Sequence, residues 1–157
     1  MKAVTVKQLK TELQYRSEKE LIEICLTLAK FKKETKELLT YLLFEADDEM
    51  GYINSVKEEI DAQFDTINTK SVYFIKKSVR KILRMTKKYI RYSKNKETEI
   101  ELLLYFCLKM RDFVPAILNN RVLRNIYERE LQSIRKKIGV LHEDLQYDYL
   151  RELEQFS

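Results

Sequence analysis

Glycine and histidine are scarce in this sequence of 157 residues, and each scarcity excludes a class of site. Glycine occurs only at positions 51 and 139, so no glycine-rich loop can bring its backbone close to a phosphate group. His142 is the only histidine, whereas zinc and di-iron sites built on histidine ligands need more than one. We therefore predict no bound cofactor and no metal, and we expect His142 to be exposed or to cap a helix.

The two cysteines and the short apolar runs bear on where the protein resides. Cys25 and Cys107 have no CxxC spacing and lie among apolar residues, so we expect two buried, reduced thiols. The longest apolar run covers 102–108, whereas a membrane-spanning helix needs about 20 apolar residues. The first residues contain no apolar stretch of signal-peptide length. These features predict a cytoplasmic protein that does not span a membrane.

Residues that typically carry catalysis form no recognisable group. No serine or cysteine has a histidine at a spacing typical of nucleophilic catalysis. The acidic run 47–49 lacks the alternating ligands of a calcium loop, and we interpret it as the start of a helix, where the helix dipole favours acids. The sequence therefore predicts no enzymatic activity. An enzyme with a site assembled from distant carboxylates and tyrosines is a third interpretation.

Composition and cap signals predict an all-α protein. Apolar residues make up 45% and charged residues 35% of a chain whose length suits one domain, 1–157. Thr5 with Gln8 and Ser17 with Glu20 have the spacing of capping boxes. We expect these residues to start the first two helices, and we expect the two helices to pair as a hairpin.

Apolar runs and breaker residues complete the predicted architecture. The run 38–44 is apolar on most sides of a third helix and should be covered by several neighbours, and the run 102–108 makes the sixth helix the most buried candidate. Pro115 is expected to open a seventh helix and Gly139 to follow its end. Because the connections are short, we predict about eight antiparallel helices in a bundle or a short α-solenoid of helical hairpins.

Charge is segregated into two adjacent blocks. Residues 66–96 contain eleven Lys or Arg and no acid, whereas residues 44–65 contain eight acids and one lysine. The net charge is therefore +11 in one block and −7 in the other, although the whole chain carries only +5. A modest total charge argues against a histone-like coat for nucleic acid but is compatible with one basic face.

The basic block is predicted to form an amphipathic helix over 70–96. At about 100° per residue, its apolar side chains cluster on one side, and its cations span about 140° on the other. Tyrosines are interleaved with these cations. The candidate residues for contact with an anionic partner are Lys77, Arg80, Arg84, Lys87, Lys88, Arg91, Tyr73 and Tyr92.

The acidic helix over 52–67 offers an alternative role for this charge. If it folds back antiparallel, ion pairs along its flanks neutralise the cations; each pair contributes only about 0–1 kcal/mol but fixes which helices pair. One neighbouring helix does not reach the centre of the basic arc near Arg84 and Arg91, so we expect some positive surface to stay exposed. Binding to a membrane surface is less favoured, because the apolar side of the basic helix is typical of a core.

Four segments within residues 36–107 carry a family resemblance. They read KELLTYLLFEADDE, VKEEIDAQFDTIN, KKSVRKILR and KKYIRYSKNKETEIELLLYFC, and the region covers about half of the chain. It resembles segments of small uncharacterised helical proteins of Bacteroidetes-type bacteria. The resemblance implies a bacterial, cytoplasmic helical protein, and it assigns no catalytic or binding residue.

The basic face is the feature from which we predict function. We expect a non-enzymatic helical interaction module whose basic face contacts an acidic protein partner or a second copy of the chain. The alternative is a nucleic-acid-binding protein, with RNA favoured, in which the cations of helix 70–96 follow phosphates and the tyrosines stack on bases. Binding of that kind would depend steeply on salt and little on sequence.

Overall fold

The computed structural model describes residues 1–156, which form eight α-helices and one π-helical turn. No β-strand occurs in this range, so the predicted all-α fold with eight helices is confirmed. The helices fall into two units, Met1–Glu45 and a second unit that begins at Ala46. The assignment of a single domain over 1–157 stays a prediction.

The first unit contains three α-helices followed by the π-helical turn. Their bounds are Val6–Gln14 (α1), Glu18–Phe31 (α2), Lys33–Thr40 (α3) and Tyr41–Glu45 (the π-helical turn). Thr5 and Ser17 form the two predicted capping boxes, in which each hydroxyl accepts a hydrogen bond from the backbone amide three residues further on. These local interactions define where α1 and α2 begin.

The first unit buries few of its apolar side chains. Every residue of α1 is exposed, so α1 and α2 do not form the packed hairpin that we expected. The expectation that the run 38–44 is covered is also wrong at its C-terminal end, because residues 42–44 are exposed. Cys25 is exposed as well, contrary to the burial that its apolar neighbours predicted. Burial depends on which helices pack together, and here only Ala29 and Tyr41 are buried within residues 1–45.

The second unit contains five α-helices that pack as a bundle around α6. Their bounds are Glu49–Asp65 (α4), Val72–Ser93 (α5), Lys96–Arg111 (α6), Arg121–Ile138 (α7) and Glu143–Glu154 (α8). Helix α6 contacts α4, α5 and α7, and α8 packs on α7. Leu102, Phe106 and Met110 of α6 have no exposed surface, which confirms the prediction that the sixth helix is the most buried.

Two helix starts in the second unit follow the sequence predictions. Asp48 caps α4 by accepting a hydrogen bond of 3.0 Å from the amide of Gly51, so the acidic run 47–49 is a helix start. His142 caps α8, because its Nδ1 accepts a hydrogen bond of 3.3 Å from the amide of Asp144. The expectation of an exposed or capping histidine is therefore confirmed.

The seventh helix begins later than predicted. Pro115 lies in the connection that follows α6, and α7 begins at Arg121. The physical reason is Asn120, whose side chain accepts hydrogen bonds from the amides of Val122 and Leu123. An asparagine N-cap of this kind satisfies amides that have no partner inside the helix.

Candidate functional site

Helix α5 carries the basic block and is long because its apolar positions keep the helical period. Ser71 caps its start through a hydrogen bond from the amide of Phe74, and Lys94 ends it with a left-handed backbone conformation, φ 57°. The side that faces the bundle is buried at Ile75, Val79, Ile82, Leu83, Thr86 and Ile90. This buried stripe fixes the direction in which the opposite side points.

The opposite side of α5 is a strip of exposed cations without acidic partners. We define the basic face as Lys77, Arg80, Lys81, Arg84 and Arg91, all of which are exposed. No acidic side chain within residues 1–156 lies at salt-bridge distance from any of these five cations. Four of the eight predicted contact residues therefore lie together on open surface, and Lys81 joins them.

The residues of the basic face lie along one side of α5. Arg80 and Lys81 follow Lys77 by three and four positions, Arg84 follows by seven, and Arg91 lies a further seven positions on, which keeps all five on one side of a helix. Lys77 and Arg91 are fourteen positions apart, which corresponds to about 21 Å at about 1.5 Å per residue. An extended or helical polyanion of a few turns can therefore contact all of these cations at once.

Two further cations predicted to contact a partner are engaged within the chain. Lys87 Nζ lies 2.9 Å from Oε1 of Glu130 in α7, a carboxylate that is 1% exposed. Lys88 Nζ lies 4.8 Å from the ring centre of Tyr89. We therefore assign Lys87 to the fold rather than to the basic face, and we place Lys88 at its edge.

The tyrosines of α5 separate into one exposed and two engaged rings. Tyr73 is 67% exposed, and its ring makes an edge-to-face contact with Phe74 at 5.6 Å. Tyr92 is 8% exposed and packs edge-to-face on Tyr89 at 5.9 Å, so little of its ring is open to a partner, and the expected contact stays a prediction. The sequence placed Tyr92 at the edge of the basic arc, and packing in the second unit covers that edge near the end of α5.

Helix α4 packs beside α5 but leaves the basic face uncovered. The Tyr52 hydroxyl donates a hydrogen bond of 2.7 Å to the carbonyl of Tyr89, which joins the two helices. Two charged residues of α4 instead pair with α6: Lys57 with Glu101 at 3.2 Å, and Asp61 with Lys109 at 3.0 Å. The predicted neutralisation of the basic helix by the acidic one does not extend to the basic face.

A second polar group links α4, α6 and α8. The Tyr105 hydroxyl donates a hydrogen bond of 2.6 Å to Asp61, and burial together with this carboxylate raises the pKa of Tyr105 to about 12. The pKa of Asp61 is lowered: burial acts to raise it, but hydrogen bonds from Tyr105 and Lys109 outweigh burial. Tyr149 donates a hydrogen bond to Glu101 at 3.3 Å, and burial raises its pKa as well.

This polar group gives little reason to assign catalysis. Each of its tyrosines and the two carboxylates it contacts is engaged with a neighbouring helix, so the group ties helices together. Within residues 1–156, no group of three or more His, Cys, Asp or Glu side chains could hold a metal ion. No helix in the described part of the chain combines the length and apolar character needed to cross a membrane.

Sequence reasoning missed Glu130, although a signal was present. Glu130 follows Leu123 by seven residues and precedes Ile134 by four, so it lies on the apolar side of α7. An acid on the apolar side of a helix needs a cation to compensate its buried charge. That requirement points to a nearby lysine or arginine: Lys87 Nζ of α5 lies 2.9 Å from Glu130 Oε1, and Arg129 Nε of α7 itself lies 3.9 Å from the same oxygen.

Comparison with known proteins returned no relative. No protein-family model, curated protein or solved structure matches this chain. The resemblance to small helical proteins of Bacteroidetes-type bacteria therefore stays a prediction.

Proposed function

We propose that the protein is a non-enzymatic interaction module that binds an acidic segment of a partner protein on the basic face of α5. One observation carries this proposal: five exposed cations lie along one side of one helix, and none of them has an acidic partner within residues 1–156. Like charges at neighbouring helix positions repel one another. A carboxylate-rich partner removes this repulsion.

The residue types on the basic face suit carboxylates. Arg80, Arg84 and Arg91 present planar guanidinium groups that can bind a carboxylate through two parallel hydrogen bonds. Lys77 and Lys81 add positive charge around them. Exposed charges of this kind mainly speed association and select the partner, so the affinity is expected to fall as salt rises.

A protein partner is favoured over a nucleic acid by the state of the tyrosines. Binding of single strands relies on aromatic rings that stack on successive bases. Tyr92 is buried and packs against Tyr89, which leaves Tyr73 as the exposed tyrosine of α5, with the exposed ring of Phe74 next to it. Tyr73 is also the specific observation that keeps single-stranded RNA as the second candidate.

We propose a cytoplasmic location and a bacterial origin for the same module. The location is supported by Cys25, a free thiol on the surface, which suits a reducing compartment. The bacterial origin rests on the family resemblance of residues 36–107.

A binding titration tests the proposed function. The full chain is titrated into a labelled helical peptide rich in glutamate, a peptide with glutamine at the same positions, and a labelled single-stranded RNA, each at low and high salt. We expect the glutamate peptide to bind at low salt and to weaken at high salt, the glutamine peptide to bind poorly, and the RNA to bind more weakly than the glutamate peptide.

Matched charge reversals identify the surface. Arg80→Glu with Arg84→Glu should weaken binding to the glutamate peptide at least about tenfold, because about 1.4 kcal/mol suffices for that change. Lys7→Glu with Lys10→Glu changes the net charge equally on exposed residues of α1 and should have little effect. Equal effects of the two double variants would contradict the proposal, and tighter binding of RNA than of peptide would favour the second candidate.

A further inference from the structure

Helix α2 of the first unit carries an exposed apolar seam. Leu21, Ile24, Leu28 and Phe31 recur at intervals of three, four and three residues, the spacing with which two helices interlock their side chains. Leu21 is half-buried and the other three are exposed, Phe31 to 77%. A groove of about 400 Å³, lined in part by Ile24 and Leu28, runs beside this seam.

The exposure of this seam is unusual for a stable helix of its length. Contiguous apolar surface on a protein marks a place of contact, whereas scattered apolar residues need no explanation. A helix of 14 residues gains most of its stability from packing its apolar side. No helix of the first unit buries this seam, so it points to a further helix that packs on it.

Charge is distributed unevenly along α2. The part around its start contains Glu18, Glu20 and Glu23 against Arg16 and Lys19, so residues 16–23 sum to −1 from three acids and two bases. The part around its end contains Lys30 and Lys32, so residues 30–32 sum to +2 from two bases and no acid; Lys33 begins α3 and pairs there with Glu37 at 3.8 Å. The two ends of α2 thus differ in the sign of their charge.

From the seam and this charge order we propose that the protein self-associates through α2, which packs antiparallel against α2 of a second copy. In this arrangement Ile24 of one chain faces Leu28 of the other, and Leu21 faces Phe31. A two-fold axis relates the chains, so each contact occurs twice. The basic face of α5 is a different surface, and the inference does not rest on the proposed function.

The charge pattern of α2 indicates which helix packs on the seam and in which direction that helix runs. In the antiparallel pair, the acidic start of one α2 lies beside the lysine-rich end of the other, and the two helix dipoles oppose each other favourably. A parallel pair would place lysines beside lysines and glutamates beside glutamates. An antiparallel α2 from a second copy has apolar side chains at the spacing that fits the seam. Its charges run in the opposite order along the pair, so each acidic end meets a basic end.

Light scattering coupled to size-exclusion chromatography tests the proposal on the full chain. We expect the wild type to elute with the mass of two chains and to approach the mass of one chain on dilution. Leu28→Glu should give the mass of one chain at every concentration, because it places a charge in the seam. Val140→Glu is the matched control: Val140 is an exposed apolar residue of the second unit, so this variant should keep the mass of two chains. Circular dichroism checks that both variants keep their helices.

Charge exchange tests the orientation without touching the seam. Glu23 and Lys30 are exposed and have no ion pair within residues 1–156, so Glu23→Lys and Lys30→Glu should fold as the wild type does. Each variant alone should form a weaker dimer than the wild type, with a higher dissociation constant, because like charges then meet across the pair. An equimolar mixture of the two variants should regain the mass of two chains, because opposite charges then meet across the pair.

Three results would overturn the inference. They are a single-chain mass for the wild type at all concentrations, a two-chain mass for Leu28→Glu, and a mixture of the charge variants that associates no better than either variant alone. The Arg80→Glu and Arg84→Glu double variant should keep the two-chain mass, and its loss would assign self-association to the basic face instead. Failure here leaves peptide binding by the basic face unaffected, so the two proposals are tested separately.

Discussion

Lys87 of α5 and Glu130 of α7 form an ion pair whose two partners differ sharply in exposure. The Lys87 ammonium and Glu130 Oε1 are 2.9 Å apart, and the side chains are 48% and 1% exposed. The other oxygen, Glu130 Oε2, has no hydrogen-bond partner in the described part of the chain. A buried carboxylate depends on its cation, so this lysine serves the fold even though it belongs to the basic block.

Replacement of Lys87 by methionine should destabilise the second unit. The substitution removes the nearer cation and leaves the buried Glu130 with only Arg129, whose Nε lies 3.9 Å from Oε1. We expect the free energy of unfolding to fall by about 2–3 kcal/mol, less than for a fully buried pair because water can approach the vacated position. Chemical denaturation measures the change. Lys77→Met removes an unpaired cation of the same helix and should change stability by less than about 0.5 kcal/mol. Similar losses in both variants would show that the pair has no special role.

The two tyrosines at opposite ends of α5 should respond differently to alanine substitution. Tyr92→Ala removes a buried ring and should cost about 3 kcal/mol or more, because the packing cannot close fully around the cavity. Tyr73→Ala removes an exposed ring and should cost less than about 0.5 kcal/mol. Thermal and chemical denaturation of the two variants test this difference, and a small loss for Tyr92→Ala would contradict the assigned packing.

Stability should fall at alkaline pH, in part through Tyr105. The pKa of this hydroxyl rises from 10.0 in the unfolded chain to about 12 in the fold. Between these pH values the unfolded chain has released the proton that the fold retains, so stability decreases as pH rises. Tyr105→Phe should be less stable than the wild type near neutral pH, because the hydrogen bond to Asp61 is lost, and the difference should shrink as pH rises from 10 to 12. A difference that stays constant over this range would contradict the raised pKa.

The two cysteines should differ in their reactivity with a thiol reagent. Cys25 is exposed, whereas Cys107 has no exposed surface and burial, with a smaller effect of Glu130, raises its pKa to about 12. We expect one thiol per native chain to react near neutral pH and two to react in denaturant. In Cys25→Ser, no thiol should react until the chain unfolds. Rapid labelling of native Cys25→Ser would show that Cys107 is accessible.

Features that depend on neighbouring residues alone were predicted well from the sequence. The capping boxes at Thr5 and Ser17 and the helix start at His142 each involve side chains and amides two or three residues apart. The apolar and basic sides of α5 also follow from the helical period. Such features need no knowledge of which helices meet.

Features that depend on the packing partner were predicted poorly. Cys25 and Phe44 have apolar neighbours along the chain, yet no helix covers either of them. Tyr92 lies among cations, yet it is buried. Glu130 has the same limit. Its position among apolar residues of α7 predicts a buried charge, but the sequence does not say that Lys87 of α5 lies next to it; the fold does.

The Glu49 carboxylate, at the start of α4, accepts hydrogen bonds from the hydroxyls of Ser93 and Thr98. Ser93 ends α5 and Thr98 lies in the first turn of α6. The Glu49 side chain therefore links the connection between α5 and α6 to the start of α4. Fraying of α4 from its first residue therefore breaks contacts at this connection, and we expect amide hydrogens at both places to exchange with solvent in one cooperative opening. Helix α1, whose residues are all exposed, has no such link, and its amides should exchange first.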